Sequence, residues 1–144
     1  MYQKNLKNYK TTQILTSDPG KVIVLLYNGA ISYLEQAADH AKSGAFEKRG
    51  QLVYKVYNII LELLVSLNHE DGGEIAENLQ QIYLFLSAEI LEADHKNDAD
   101  LLLKCRDILI PLRDAWHTVA SSSALSAQSN NEMNMFSASY SATA

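Results

Sequence analysis

The sequence is short of everything that stops a helix or builds a reactive site. Two prolines and six glycines are all that punctuate 144 residues. No alternation of period two is long enough to suggest a sheet. The single cysteine, Cys105, excludes an internal disulfide, fits a reducing compartment and reads as a small core residue. Cations are scarce: 12 Lys and Arg stand against 17 Asp and Glu, a net charge of −5. That balance disfavours nucleic acid or an anionic membrane as the main partner. The longest apolar stretch is broken by Lys55, Asn58 and Glu62, so no membrane insertion is expected. The N-terminus MYQKNLKNYK lacks an apolar run followed by a small-residue cleavage site, so no secretory signal is expected either.

Reactive constellations are also missing. A di-metal bundle needs two Glu-x-x-His motifs on facing helices, with two further inward glutamates. Glu92-Ala93-Asp94-His95 is one such motif, and Asp114-Ala115-Trp116-His117 is the nearest second. His95 and His117 end successive antiparallel helices, which separates them by roughly 30 Å at 1.5 Å per residue. His40 and His69 also fall at helix ends or in loops, where a helix C-terminal dipole suits a solvated imidazole. Cys105 has no activating neighbour in its pattern, and Gly72-Gly73 lacks the lysine and preceding strand of a phosphate loop. No catalytic residue, metal ligand or cofactor is assigned, and an enzyme is not expected. What remains is a surface that binds.

Helices are what the sequence has in abundance. Ser17-Asp18-Pro19 is a start signal, a capping side chain followed by proline in the first turn. Ile23, Leu26, Tyr27, Ala30, Leu34, Ala37 and Ala41 then keep a three-four spacing until Ser43-Gly44. A second helix is predicted from about Phe46 to Leu67, with Phe46, Val53, Val56, Ile60, Leu63 and Leu67 as its core line. Asn68 to Gly73 reads as a turn. A third helix, about Glu74 to Ala93, carries Ile75, Leu79, Ile82, Leu86, Ile90 and Ala93, with Tyr83, Leu84, Phe85 and Leu91 in surplus. A fourth, about Asp98 to Ala120, carries Leu101, Cys105, Ile108, Leu112, Ala115 and Val119. Pro111 lies inside it and predicts a kink or a loosened turn, since the pattern continues beyond.

Short loops between helices of this length make antiparallel neighbours. The expected fold is all-α, an up-down-up-down four-helix bundle over residues 17–120. A flexible N-terminal arm, residues 1–16, precedes it. A tail, residues 121–144, follows, with eight serines, five alanines and no Lys or Arg; its composition predicts disorder. A second reading of the tail docks Met133, Met135, Phe136 and Tyr140 on an apolar groove.

The second helix has more apolar surface than a bundle core uses. Between Leu52 and Leu67 twelve of sixteen residues are apolar or aromatic. The exceptions, Lys55, Asn58, Glu62 and Ser66, form one line roughly 80° wide at 100° per residue. About three apolar positions in seven suffice for a surface helix. After the core line is subtracted, Tyr54, Tyr57, Leu61, Leu64 and Val65 remain. Two owners for this surplus stay open: a groove for a partner's amphipathic helices, or a homodimer through helices two and three with a structural or regulatory role.

Four segments in order resemble the flagellin export chaperones, the FliS family, over about residues 9–120. They are Tyr9-x4-Ile14-Leu15-Thr16-Ser17-x-Pro19 with Leu25-Leu26-Tyr27-Asn28-Gly29-Ala30; Leu67-Asn68-x3-Gly72-Gly73-Glu74-Ile75-Ala76-x-Asn78-Leu79-x3-Tyr83; Ala93-Asp94-x-Lys96-Asn97-Asp98; and Leu112-Arg113-Asp114-Ala115-Trp116. Pro111 and the Ser/Ala tail depart from the family's pattern. The resemblance implies a chaperone of the bacterial cytoplasm. It would bind the C-terminal segment of unpolymerised flagellin, prevent premature polymerisation and deliver the segment to the flagellar type III export gate, with other flagellar proteins as further partners. It would be a monomer or weak homodimer. The expected flagellin-binding residues are Tyr9, Ile14, Leu15, Ile23, Leu26, Tyr27, Tyr54, Tyr57, Leu61, Leu64 and Tyr83, with the arm around Tyr9, Ile14 and Leu15 covering the groove until flagellin displaces it. Pro19, Gly29, Gly72, Gly73, Asn78 and Trp116 are expected to serve structure: turns at Gly72 and Gly73, close helix approach or access for the client backbone at Gly29, and an anchor for the bundle end at Trp116.

Overall fold

The structure, a computed structural model, describes residues 19–142, with side chains described to Ser122. Among the described residues there are four helices and no strand: α1 Pro19–Ser43, α2 Phe46–Ser66, α3 His69–Lys96 and α4 Ala99–Ala142. The chain divides into two compact units. One is Ile23–Arg113, which holds the bundle core; of the described residues, the other contains 19–22 and 114–142.

Within Ile23–Arg113 the side-chain links show how the helices run. Tyr27 meets Tyr83, and Asn97 Nδ2 donates to the Ala41 carbonyl at 3.1 Å, a separation of 56 residues in both cases. So α1 and α3 are parallel. Arg106 lies 3.6 Å from Glu35, and Arg113 donates to Asn28 at 3.2 Å; these pairs have a constant sum, so α4 is antiparallel to α1. Arg49 pairs with Asp94 at 2.8 Å, which makes α2 antiparallel to α3. The up-down-up-down all-α bundle read from the sequence is therefore the fold.

The joints use local chemistry. Gly44 takes φ +77 after α1, and the Ala45 N–H closes back on the His40 carbonyl at 2.9 Å, a left-handed stop that a Cβ would strain. The α2–α3 joint is tighter than the sequence suggests. Only Leu67 and Asn68 lie between the helices; the Asn68 side chain accepts from the Asp71 N–H at 3.1 Å and one helical turn follows. The chain then breaks helical geometry at Gly73, with φ 49 and ψ −122, so the turn read over 68–73 is a capped helical turn ending in a glycine kink. Asn97 closes α3 in the left-handed region, and Asp98 caps α4 by accepting from the Leu101 N–H at 3.0 Å.

The core differs from the expected lines at specific places. In α2 it is Val53, Val56, Ile60 and Leu63, as expected, but Phe46 is exposed, its ring lying under Arg49 at 5.5 Å. In α3 the line is Ala76, Leu79, Tyr83, Leu86, Ile90 and Ala93. Ala76 and Tyr83 displace the expected Ile75 and Ile82, leaving Ile75 71% exposed. In α4 the buried residues of this unit are Leu102, Cys105 and Leu109, not the line through Leu101, Ile108 and Leu112. Apolar triplets at 101–103 and 108–110 permit either rotation. In the observed one Arg106 and Arg113 both reach α1.

Helix α4 passes through Pro111, which is exposed, and continues to Ala142 rather than ending near Ala120. No proline or glycine follows Pro111, so nothing local terminates it.

Candidate functional site

Helix α2 turns its surplus outward. Tyr54, Leu61 and Val65 fall within about 40° of one another at 100° per residue, nearly opposite the buried line. Tyr54 is 66% and Val65 86% exposed, and Leu61 is exposed as well. Helix α3 carries a matching stripe. Leu84 and Leu91 are exposed, seven residues apart, and Glu77 precedes them by another seven.

The two stripes flank one seam. The Arg49–Asp94 pair sets the antiparallel register. Counting from it brings Tyr54 beside Leu91, Leu61 beside Leu84 and Val65 beside Glu77, each within about 3 Å along the axis. Tyr57 and Leu64 of α2 and Gln80 and Ser87 of α3 lie between the stripes and are half-buried. The result is a shallow apolar strip along the α2/α3 seam.

The expected binding residues separate into four groups. Tyr54, Tyr57, Leu61 and Leu64 all belong to this strip. Tyr27 and Tyr83 do not: they are 0% and 1% exposed, their hydroxyls are hydrogen-bonded to each other, and their rings are 6.4 Å apart with a 52° tilt. These two link α1 to α3 inside the core and offer no area to a partner in this arrangement. Ile23 and Leu26 are half-buried on α1. Tyr9, Ile14 and Leu15 lie outside the described residues. Leu84 and Leu91 complete the strip from α3; their seven-residue spacing was the signal, obscured by Tyr83 and Phe85 beside them.

Of the residues expected to serve structure, Pro19 begins α1 and Gly73 makes the kink. A Cβ on Gly72 would come within 2.8 Å of the Ala76 Cβ. At Gly29 it would lie 3.5 Å from Ile59 Cδ1, an ordinary contact. The close helix approach expected at Gly29 therefore leaves room for a methyl group. Asn78 is exposed on α3, and Trp116 is half-buried on α4 in the other unit.

One end of the seam is held by polar contacts. The Arg49 guanidinium donates to both Asp94 and Asn97, and Asn97 in turn donates to the Ala41 carbonyl. Arg49 is mostly buried, so its charge depends on these acceptors. Elsewhere the chemistry is quiet. Burial pushes the Cys105 thiol up to about 11, the opposite of an activated nucleophile. Among the described residues no three of His, Cys, Asp and Glu come together as metal ligands, and no helix is long and apolar enough to cross a membrane.

Among the described residues the helical bundle leaves an apolar strip exposed along the α2/α3 seam, a surface of the kind that receives a partner's helices. The model of the flagellar protein FliS family matches residues 1–123, and this chain belongs to that family. It is 34% identical over 108 residues to the flagellar secretion chaperone FliS of Vibrio cholerae serotype O1, covering 75% of this chain and 79% of that protein. It is 30% identical to the flagellar secretion chaperone FliSB of Pseudomonas aeruginosa, covering 81% and 96%. With the flagellar secretion chaperone FliS of Salmonella typhimurium it shares 31% identity, covering 74% and 80%. The relatives are named as chaperones, not as enzymes.

Proposed function

We propose that this protein is a flagellar export chaperone of the bacterial cytoplasm. It binds the C-terminal segment of unpolymerised flagellin, keeps that segment from assembling, and passes it to the flagellar type III export apparatus. The observation that carries this reading is the uncovered strip on α2 and α3, in a chain of the FliS family.

The magnitudes suit a disordered client. Folding a segment on binding costs roughly 2–5 kcal/mol of the gross interaction. Covering one large apolar side chain contributes about 1.5–3 kcal/mol. Tyr54, Leu61, Val65, Leu84 and Leu91 are between 39% and 86% exposed, so covering them contributes several kcal/mol, which offsets the ordering cost and leaves the loss of translational freedom to further contacts.

Titration calorimetry of the full chain with a synthetic peptide of flagellin's C-terminal segment tests the proposal. The expected result is a stoichiometric complex that co-elutes on size exclusion. Absence of heat and of co-elution at micromolar concentrations would sink it. The same column separates the second reading, self-association through the strip, which would give a concentration-dependent dimer without peptide.

A further inference from the structure

Lys55 and Lys96 are consecutive cations in this sequence. The 40 residues between them, most of α2 and almost all of α3, contain no Lys or Arg and eight Asp or Glu. The helices carrying the strip are therefore acidic between those two cations. The charge is unevenly spread along it. At the end near Tyr54 and Leu91 cations answer two of the acids: Lys96 holds Glu92 and Arg49 holds Asp94, both at 2.8 Å. At the end near Val65 stand Glu70, Glu74 and Glu77, and among the described residues none of the three has an ion-pair partner.

Acids in the first turn of a helix are favoured by its N-terminal dipole, which accounts for Glu70 and, beyond the kink, Glu74. It does not account for Glu77. That residue lies a further turn in, on the same stripe as Leu84 and Leu91 and level with the exposed Val65.

Resting on the chaperone reading of the strip, we infer that its ligand is an apolar amphipathic segment whose basic residues lie at one end, the end seated by the α2–α3 joint. Charge complementarity at the rim of an apolar groove fixes register and direction more than it adds affinity. Self-association through the strip, the other occupant, would appear as a concentration-dependent dimer of the free protein.

The test uses the full chain, the flagellin C-terminal peptide, and a set of peptides in which each Lys or Arg is replaced singly by Gln. In Glu74→Gln/Glu77→Gln, affinity at low salt is expected to fall roughly three- to tenfold. The difference should vanish near 1 M salt, where the screening length is about 3 Å. One peptide replacement should weaken binding to the native chain and leave binding to the double variant unchanged, the signature of coupled charges. A photo-crosslinker beside that peptide residue should attach between residues 65 and 80.

Leu61→Ala/Leu84→Ala serves as the control for the strip itself. If it loses affinity while the glutamine variant keeps native affinity and salt dependence, the charge inference is wrong and the chaperone reading stands. Crosslinks near Tyr54 and Leu91 would overturn the stated direction. If neither variant changes binding, the strip is not the site: the charge inference falls, and the chaperone reading stands with another contact surface. The acids are exposed, so the glutamine variant is expected to fold, and its melting curve checks this.

Discussion

Val56 and Val65 are the same residue on the same helix, and they should separate stability from binding. Val56 is 0% exposed and Val65 is 86% exposed. Replacing valine by alanine removes the equivalent of two methylenes, about 1.6 kcal/mol of transfer free energy if both are buried. The residual cavity adds to this, and the better helix propensity of alanine subtracts several tenths. Val56→Ala should therefore cost about 2 kcal/mol. With a urea slope of about 1–3 kcal/mol/M for a protein of this size, the unfolding midpoint should drop by about 1 M. Val65→Ala removes little buried area, so only the propensity gain acts, and its midpoint should stay level or rise slightly.

Binding should show the reverse order. If flagellin's segment covers Val65, the alanine variant forfeits most of the same 1.6 kcal/mol in the complex, roughly a tenfold loss of affinity. Val56→Ala, assayed well below its melting temperature, should bind normally. Urea denaturation followed by circular dichroism, with peptide titration, measures both axes. Equal destabilisation by the two substitutions would refute the assignment of their faces. Unchanged affinity in Val65→Ala would remove that residue from the contact surface.

Glycine substitutions and the buried thiol supply further checks. Gly29→Ala should raise stability by up to about 1 kcal/mol, because the added methyl meets Ile59 at an ordinary distance and glycine is a poor helix former. Gly73→Ala should lower it by roughly 1 kcal/mol or more, since φ 49 strains any residue with a Cβ; thermal melts of the two variants decide. Cys105 should resist thiol reagents at pH 8 until denaturant is added. Its folded pKa is raised from 9.0 to about 11 by burial. Stability linked to it is therefore complete below pH 9 and lost as pH rises toward 11. A melting temperature that climbs over that interval in native protein relative to Cys105→Ala would contradict this.

The number and direction of the helices were legible because stop signals are so few that each one counts. Ser43-Gly44 falls at a joint, the turn read over Asn68–Gly73 begins at one, and the turn read over Asp94–Asp98 ends at one. The half of the strip on α2 was legible too, since sixteen residues with four polar positions must leave apolar surface over. What periodicity could not decide was rotation. On α3, Ile82 and Tyr83 compete for one core position, and the choice rests on a hydroxyl of α1, 56 residues away. On α4, three adjacent apolar residues at 101–103 carry no preference of their own, and only the packing against the other helices decides. Tyr27 and Tyr83 looked like contact residues for a related reason. Tyrosine suits both a wet rim and a core with a hydrogen-bond partner, and only the three-dimensional pairing distinguishes these.

The contacts made by Arg49 have a consequence for selectivity among clients. The hairpin of α2 and α3 is tied covalently through Leu67 and Asn68, and its far end is tied by Arg49 to Asp94 and Asn97. With both ends fixed, the spacing of the two helices is set before anything binds. The chaperone then contributes almost none of the ordering entropy, and the incoming segment contributes nearly all of it. Among segments with the same apolar residues, the ranking should follow how much helix each already forms alone in water.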